Sequence, residues 1–473
     1  MRKSKLYLVL KEFDKYEQNR CRKYIQSPYF NRSEKLCDLY DILVEYINTS
    51  ETAPEAEDVL KKLHPGEVIK DSRWRKYCSD LYKLVEDYLA QEEYIKDDTA
   101  QVAYLIDAAA KKDISVVSKN AIKRTNKVLE FSNRFKNETY YDSYYLELKK
   151  YDLQKASRQR AAVSNIEEII TSLDNFYISK KLKYYCDILS RKSTIAHDYD
   201  VKLIEELLFF LKNLPENELE PVILIYYRLV LMINNFSEEN NYYETKKLLK
   251  KYAAQFPKDE AYTMYSFVVN YCTRKLNSGN SNFWREYFDI HKELLASKII
   301  IVNDELDIGI FKNVVLVGLR LEEYKWTKNF INDYQKFLPI SQRENAVSYN
   351  TALYHFYTKE YDRVIELLRT VEYEDFIYNL NAKQLLLRTY FETDEDESIF
   401  FFFESFRAYL RRNAEISPTK KTTYLNLIKY TKKLSSLIPG DKKTLKKIKE
   451  DLMQEKHLSN RSWLLEKIAE KEK

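Results

Sequence analysis

The sequence predicts an all-α protein of helical hairpin repeats stacked as an α-solenoid, and three observations predict it. Glycine is nearly missing, with five in 473 residues, about 1% against a usual share near 7%. Proline is scarce as well, nine in the chain, so little interrupts helical hydrogen bonding. Between 222 and 412 a set of residue types also returns at fixed spacing, the mark of a repeat architecture.

The glycine shortage excludes function classes too. Phosphate-cradling loops, dinucleotide turns and tight hairpins place glycine where the backbone needs positive φ or a close approach to ligand. Gly66, Gly279, Gly309, Gly318 and Gly440 stand far apart, so no two of them build such a loop. An apolar share of 45% with 14% aromatics supplies a core despite 32% charged residues, which then cover the outer faces of amphipathic helices. Forty-one tyrosines fit the same packing.

Five cysteines, Cys21, Cys37, Cys78, Cys186 and Cys272, are odd in number and show no CxxC, against a disulfide framework or a cysteine zinc site. A reducing cytoplasmic compartment is the expectation. The basic start is followed by an apolar stretch of only 6–10, and the longest apolar stretch, 222–233, is broken by Arg228; neither a secretory signal nor a membrane span is expected.

Three regions are expected: an N-terminal helical region over 1–221, the hairpin array over 222–412, and basic helices over 413–473. In the first, Asp14 with Glu17 and Asn31 with Glu34 each place a capping side chain three residues before a carboxylate. The second pair opens a helix over about 32–48. Pro54 and His64-Pro65-Gly66 bracket the next, and Asp71 caps a long one to about 94. Helices follow at about 98–112, 115–136, 139–160, 163–192 and 199–214, and Pro215 and Pro221 close the region.

In the array, Leu229, Met232, Ile233, Phe236, Tyr242, Thr245, Leu249, Tyr252 and Pro257 recur 82 residues later as Phe311, Val314, Val315, Gly318, Tyr324, Thr327, Ile331, Tyr334 and Pro339. Further pairs are expected over about 343–371, with Asn350, Ala352, Tyr361, Val364, Leu368 and Val371, and over about 378–411, with Leu386, Tyr390, Ile399, Phe403 and Phe406. Another turns at Asn277-Ser278-Gly279-Asn280 and carries Trp284, Tyr287 and Phe288 on its second helix.

These positions resemble the tetratricopeptide repeat, a helical hairpin of about 34 residues. In that pattern an aromatic opens the second helix, a small residue follows three places on, and a proline closes it; Tyr242, Thr245 and Pro257 stand there in one hairpin, and Tyr324, Thr327 and Pro339 in the other. The match is divergent. His355 stands where the family has an aromatic, Thr351 where it has leucine, and the family's glycine is missing. The resemblance implies a tetratricopeptide-like superhelix whose groove, lined by the first helix of each pair, carries Asn234, Lys312, Arg320, Tyr349, Gln384 and Arg388.

From Ser417 onward two basic helices are expected to finish the molecule as a solenoid cap. Ten lysines against one acid, Asp441, lie between 420 and 449, a local +9 within a chain of net +5, leaving −4 on the rest. Lys442, Lys443, Lys446, Lys447 and Lys449 form a basic patch off an apolar stripe of Leu445, Ile448 and Leu452, with Trp463, Leu464 and Ile468 as anchors.

No chemistry-bearing constellation emerges. His64, His197, His291, His355 and His457 pair at no metal spacing, so neither metal nor cofactor is expected. The acidic run 394–397 lacks the spacing of a calcium loop and suits a helix N-terminus. Tyr140, Tyr141, Tyr144, Tyr145 and Tyr151 beside Lys149 and Lys150 could stack on single-stranded nucleic acid, but a helix with one buried face explains them more simply. The run Phe400–Phe403 with Phe406 is expected to be deeply buried. The functional expectation is a non-enzymatic scaffold taking a protein or peptide partner in its groove. A nucleic-acid partner held by the lysine-rich C-terminal region, or a structural subunit of a larger assembly, is the alternative.

Overall fold

Most helix packing in this protein joins helices that are close along the chain. The computed structural model describes residues 4–49, 52–66, 70–130, 135, 138–156, 164–192, 197, 199–369, 376–393, 396–438 and 440–472. Among them are twenty-three α-helices and no strand, with one isolated bridge between Val302 and Glu305. Two compact units divide the chain: Met1–Lys181 with Asn217–Ile223, and Leu182–Glu216 with Leu224–Lys473.

In the first unit, α1 (Lys5–Lys11), α2 (Lys15–Ile25), α3 (Glu34–Thr49), α4 (Ala56–Leu63) and α5 (Asp71–Lys96) enclose Leu10, Cys21, Leu39, Leu43, Val59 and Leu81. A second cluster of Val102, Ile106, Ala121, Leu146 and Leu153 lies among α6 (Asp98–Lys112), α7 (Ser115–Glu130) and α8 (Glu138–Ala156). Asp14 and Glu17 form the reciprocal capping box expected of them. Two other start signals act differently. Asn31 Oδ1 accepts from the Ser33 N–H at 2.8 Å while its amide donates to the carbonyls of Ile25 and Ser33, so Asn31 closes the α2–α3 loop rather than capping α3. Asp71 lies inside the first turn of α5 and pairs with Arg75 at 2.6 Å; the cap position belongs to Lys70, which has no acceptor to offer.

α9 (Ile166–Lys192), α10 (Ile204–Lys212) and α11 (Pro221–Asn234) follow in the chain. α10 begins later than its pattern predicts because Leu203 takes φ +59, which a helix cannot continue through.

The second unit continues with α12 (Glu239–Tyr252), α13 (Lys258–Asn277), α14 (Phe283–Ala296), α15 (Ile308–Arg320), α16 (Tyr324–Tyr334), α17 (Ile340–Tyr357), α18 (Tyr361–Arg369), α19 (Phe376–Glu392), α20 (Asp396–Arg412), α21 (Pro418–Ser435), α22 (Lys442–Gln454) and α23 (Arg461–Glu472). From α12 each helix packs on the next in chain order, and α15, α17, α19, α21 and α23 also pack each on the next of that set. Three helices, not two, complete the chain after Ser417, because Gly440 at φ +87 and the break at 455–460 divide the region twice. Val371, Asp394 and Glu395, placed by the sequence in the third and fourth hairpins, lie outside the described residues.

The 82-residue correspondence has a structural counterpart. α12 and α16 each end in a short 3-10 turn, at Ala253–Gln255 and Gln335–Phe337, and Pro257 and Pro339 then cap the next helix with matching φ of −53° and −51°. Leu229 and Phe311, Met232 and Val314, Thr245 and Thr327, and Leu249 and Ile331 are buried in both copies. Tyr242 and Tyr324 are not equivalent: Tyr242 is fully buried and donates to Glu286 at 2.7 Å, whereas Tyr324 borders a cavity.

How the helices turn explains how the chain manages with so little glycine. At the ends of α13, α14, α15 and α17 the N–H two residues past the cap reaches back to a carbonyl five residues earlier: Asn280 to Lys275, Ile299 to Leu294, Glu323 to Gly318 and Glu360 to His355. This closure needs one left-handed residue. It is Gly279 only once; Lys298, Glu322 and Lys359 take φ of 54°, 60° and 61° in the other three. A side chain there costs about 1–2 kcal/mol.

One glycine is kept for close approach. A Cβ at Gly318 would overlap Thr327 Oγ1 and lie 3.3 Å from Phe288 Cε2, so α15 and α16 touch through backbone and the small threonine.

The Phe400–Phe403 run is only partly interior. Phe403 and Phe406 are fully buried with Ile399 and Leu410, but Phe401 is 81% exposed and Phe400 faces outward, because a helix presents every third or fourth residue to one side.

Gly318→Ala should lower stability by about 1–3 kcal/mol in urea unfolding. Adding Thr327→Ala should recover most of that loss, since the overlapped hydroxyl is removed. Lys298→Gly should raise the same midpoint, by about 0.5–1 kcal/mol once the extra chain entropy of glycine is set against the relieved strain.

Candidate functional site

Two of the cavities in the second unit are lined by arginines. One, of about 730 Å³, is bordered by Arg191, Phe236, Phe267, Asn270, Tyr271 and Arg274 among others. Its wall is held by its own contacts: the Tyr271 hydroxyl donates to the Phe236 carbonyl at 3.0 Å, the Arg274 guanidinium lies 4.5 Å from the Phe236 ring centre, and neighbouring Lys275 pairs with Glu239 at 2.8 Å.

The other, of about 510 Å³, joins residues of α14 to α19 with α23. Arg320, on the last turn of α15, is exposed and lies 5.0 Å from the Trp284 ring centre. Arg388, on α19, sits between two rings, its guanidinium 4.2 Å from the centre of Phe356 and 5.4 Å from that of Trp463. Its Nε is buried with no hydrogen-bond partner. Burial pulls the Arg388 pKa below the usual arginine range; Tyr357, Tyr349 and Glu392 oppose that shift and Arg320 adds to it. Two guanidiniums thus border one cavity, each close to aromatic rings, and among the described residues neither has an ion-pair partner.

α23 fixes the far wall. Trp463 Nε1 donates to Glu392 Oε1 at 2.8 Å, and Lys467 Nζ reaches Glu392 Oε2 at 2.7 Å and Glu470 at 2.8 Å. Each oxygen of Glu392, the carboxylate one helical turn from Arg388, thus accepts one of those bonds.

Of the six groove residues, Arg320 and Arg388 border this cavity and Tyr349 does not. Tyr349 is buried, packed edge-on against Tyr378. Gln384, one turn before Arg388, accepts from the Ser459 hydroxyl at 2.8 Å and so serves α23. Lys312 is half-buried two turns before Arg320, and burial lowers its pKa. Asn234 is exposed at the end of α11 and borders neither cavity. Phe356, Tyr357 and Glu392 were not singled out by the sequence, since nothing in their spacing sets them apart from other core-facing helix positions.

The basic patch has a different character. Lys442, Lys443, Lys446 and Lys447 are exposed on α22, while Lys449 is half-buried and pairs with Glu472 at 2.9 Å. Leu445, Ile448 and Leu452 are buried beneath them. In the tyrosine cluster of α8, Lys149 pairs with Asp107 at 2.7 Å and Lys150 with Glu147 at 2.9 Å, so both cations are already neutralised. Tyr140 is buried and Tyr141 half exposed against Tyr145. Among the described residues no three His, Cys, Asp or Glu side chains are grouped to hold a metal ion, and no helix is long and apolar enough to cross a membrane.

No family model matches this chain, and no curated protein or solved structure shows significant similarity to it.

His291 supplies a pH dependence. It is buried on α14, stacked on Tyr287, and its Nδ1 lies 2.8 Å from the Tyr287 carbonyl; burial lowers its pKa to about 4. The unfolded chain therefore binds a proton that the folded chain refuses between about 6.5 and 4. Stability should fall as pH drops through that window, by up to roughly 3 kcal/mol, and His291→Leu should flatten that part of the urea-midpoint profile.

Proposed function

We propose that this protein is a non-enzymatic interaction scaffold: a tetratricopeptide-like α-solenoid that takes a peptide or protein partner in the cavity around Arg320 and Arg388. The observation that carries this reading is the pair of guanidiniums on aromatic rings with no carboxylate partner among the described residues. Arginine and aromatic anchors in a partly enclosed hollow are the side chains that dominate protein recognition. The solenoid reading is supported by α15, α17, α19, α21 and α23 packing in succession while each also packs on its chain neighbour, the pattern that stacked helical pairs require. α23 would then act as a cap whose Trp463 completes the hollow.

A second reading rests on the four exposed lysines of α22, which suit a phosphate backbone. Outside residues 420–449 the chain is net acidic, at −4, and a nucleic-acid footprint is normally a broad basic face.

Affinity purification of the full chain from its native cell, with and without nuclease, tests the scaffold. A protein partner retained after nuclease, and weakened by Arg320→Gln, is the expected result. Recovery that nuclease abolishes and that falls steeply with salt would assign binding to α22 instead.

A further inference from the structure

We infer that the Arg320–Arg388 cavity is a receptor for a carboxylate, an aspartate or glutamate side chain of a partner peptide, whose apolar neighbour lies on the Trp284 and Trp463 rings. This rests on the scaffold reading and adds the chemistry of what is recognised.

Three features converge on it. First, the Arg388 Nε is buried without a partner. A buried donor left unmade costs about 1–3 kcal/mol, more when charged, so the site is incomplete as the chain alone builds it. Second, Arg320 and Arg388 are two positive charges on the border of one cavity, and an anion between them offsets their mutual repulsion. The carboxylate best placed to do so within the chain, Glu392, is engaged at both oxygens by Trp463 and Lys467. Third, both guanidiniums lie on ring faces. Stacking fixes the plane of the donor fork before ligand arrives, which suits the planar, two-point geometry of a carboxylate.

The border also favours a single negative charge over two. Arg320, Lys359, Arg388 and Lys467 are matched there by Glu322, Glu392, Glu466 and Glu470. A dianionic phosphate would meet four carboxylates; a monoanion seated between the two arginines offsets their charge with less repulsion from that wall.

The probe is phenylacetate, which carries one carboxylate beside one ring, titrated into the full chain and followed by tryptophan fluorescence, with phenylacetamide and phenylphosphonate as comparisons. Saturable quenching with a Kd on the order of 1–10 mM is expected for a ligand of this size. The neutral amide should bind at least about tenfold more weakly, a usual margin for losing a charge-assisted contact. Arg320→Gln and Arg388→Gln should each reduce affinity by a similar factor; Arg320 is exposed, so its variant keeps the fold, checked by circular dichroism. Equal binding of acid and amide, indifference to both arginine variants, or tighter binding of the phosphonate would overturn the assignment. A protein partner weakened by the arginine variants, with phenylacetate and phenylacetamide binding equally, keeps the scaffold and removes the carboxylate site, whereas recovery of no protein partner, or of one undiminished by the double arginine variant, removes the scaffold reading at this cavity.

Discussion

Short-range helix packing is the constraint on which the second unit depends. From α12 onward, a helix buries its apolar face against the next helix in the chain, and the odd-numbered ones from α15 also against the next but one. Such packing works only if consecutive helices reverse direction within a few residues and approach closely where they cross. The reversal is made by left-handed residues at 279, 298, 322 and 359, and one close approach by Gly318 against Thr327. A chain with five glycines spends one where a side chain cannot fit and lets lysine and glutamate carry strained turns.

That division bears on the cavity. Glu322 and Lys359, two of the strained turn residues, lie on its border together with Tyr324 and Tyr361, which open the helices that follow. The site is thus built at the ends of helix pairs, where turns bring residues of several helices together, and α23 closes it from the C-terminal side. Glu392 ties that closure to the arginines: its carboxylate holds Trp463 and Lys467, and one of its neighbours along α19 is Arg388.

Most of the helices were legible because their signals are local. Apolar periodicity located α6 at its observed residues, Asp14 and Glu17 announced a real capping box, and the recurring Thr and Pro positions are buried or capping in both copies. The failures are also local in origin. Asn31 and Asp71 carry the chemistry of caps, but a side chain that can accept from one N–H can equally accept from another, and loop closure or a first-turn ion pair took them. In the run at 400–403 consecutive phenylalanines share no face, so composition alone overstated their burial.

What the sequence determined by itself was the all-helical class, most of the helices before Ser417 and the register of the two matching pairs, because helix formation and capping depend on residues within a few positions of one another. What only the tertiary structure decided was which helix side chains meet. The repeat register put Arg320 and Arg388 in one groove, but Trp463, tens of residues further on, shares no spacing with them and yet lies on the same cavity, and Tyr242 and Tyr324 hold equivalent register positions yet one is sealed in the core and the other borders a cavity. The deciding factor is what the neighbouring helices place opposite each residue, a property of packing in three dimensions that no local pattern encodes.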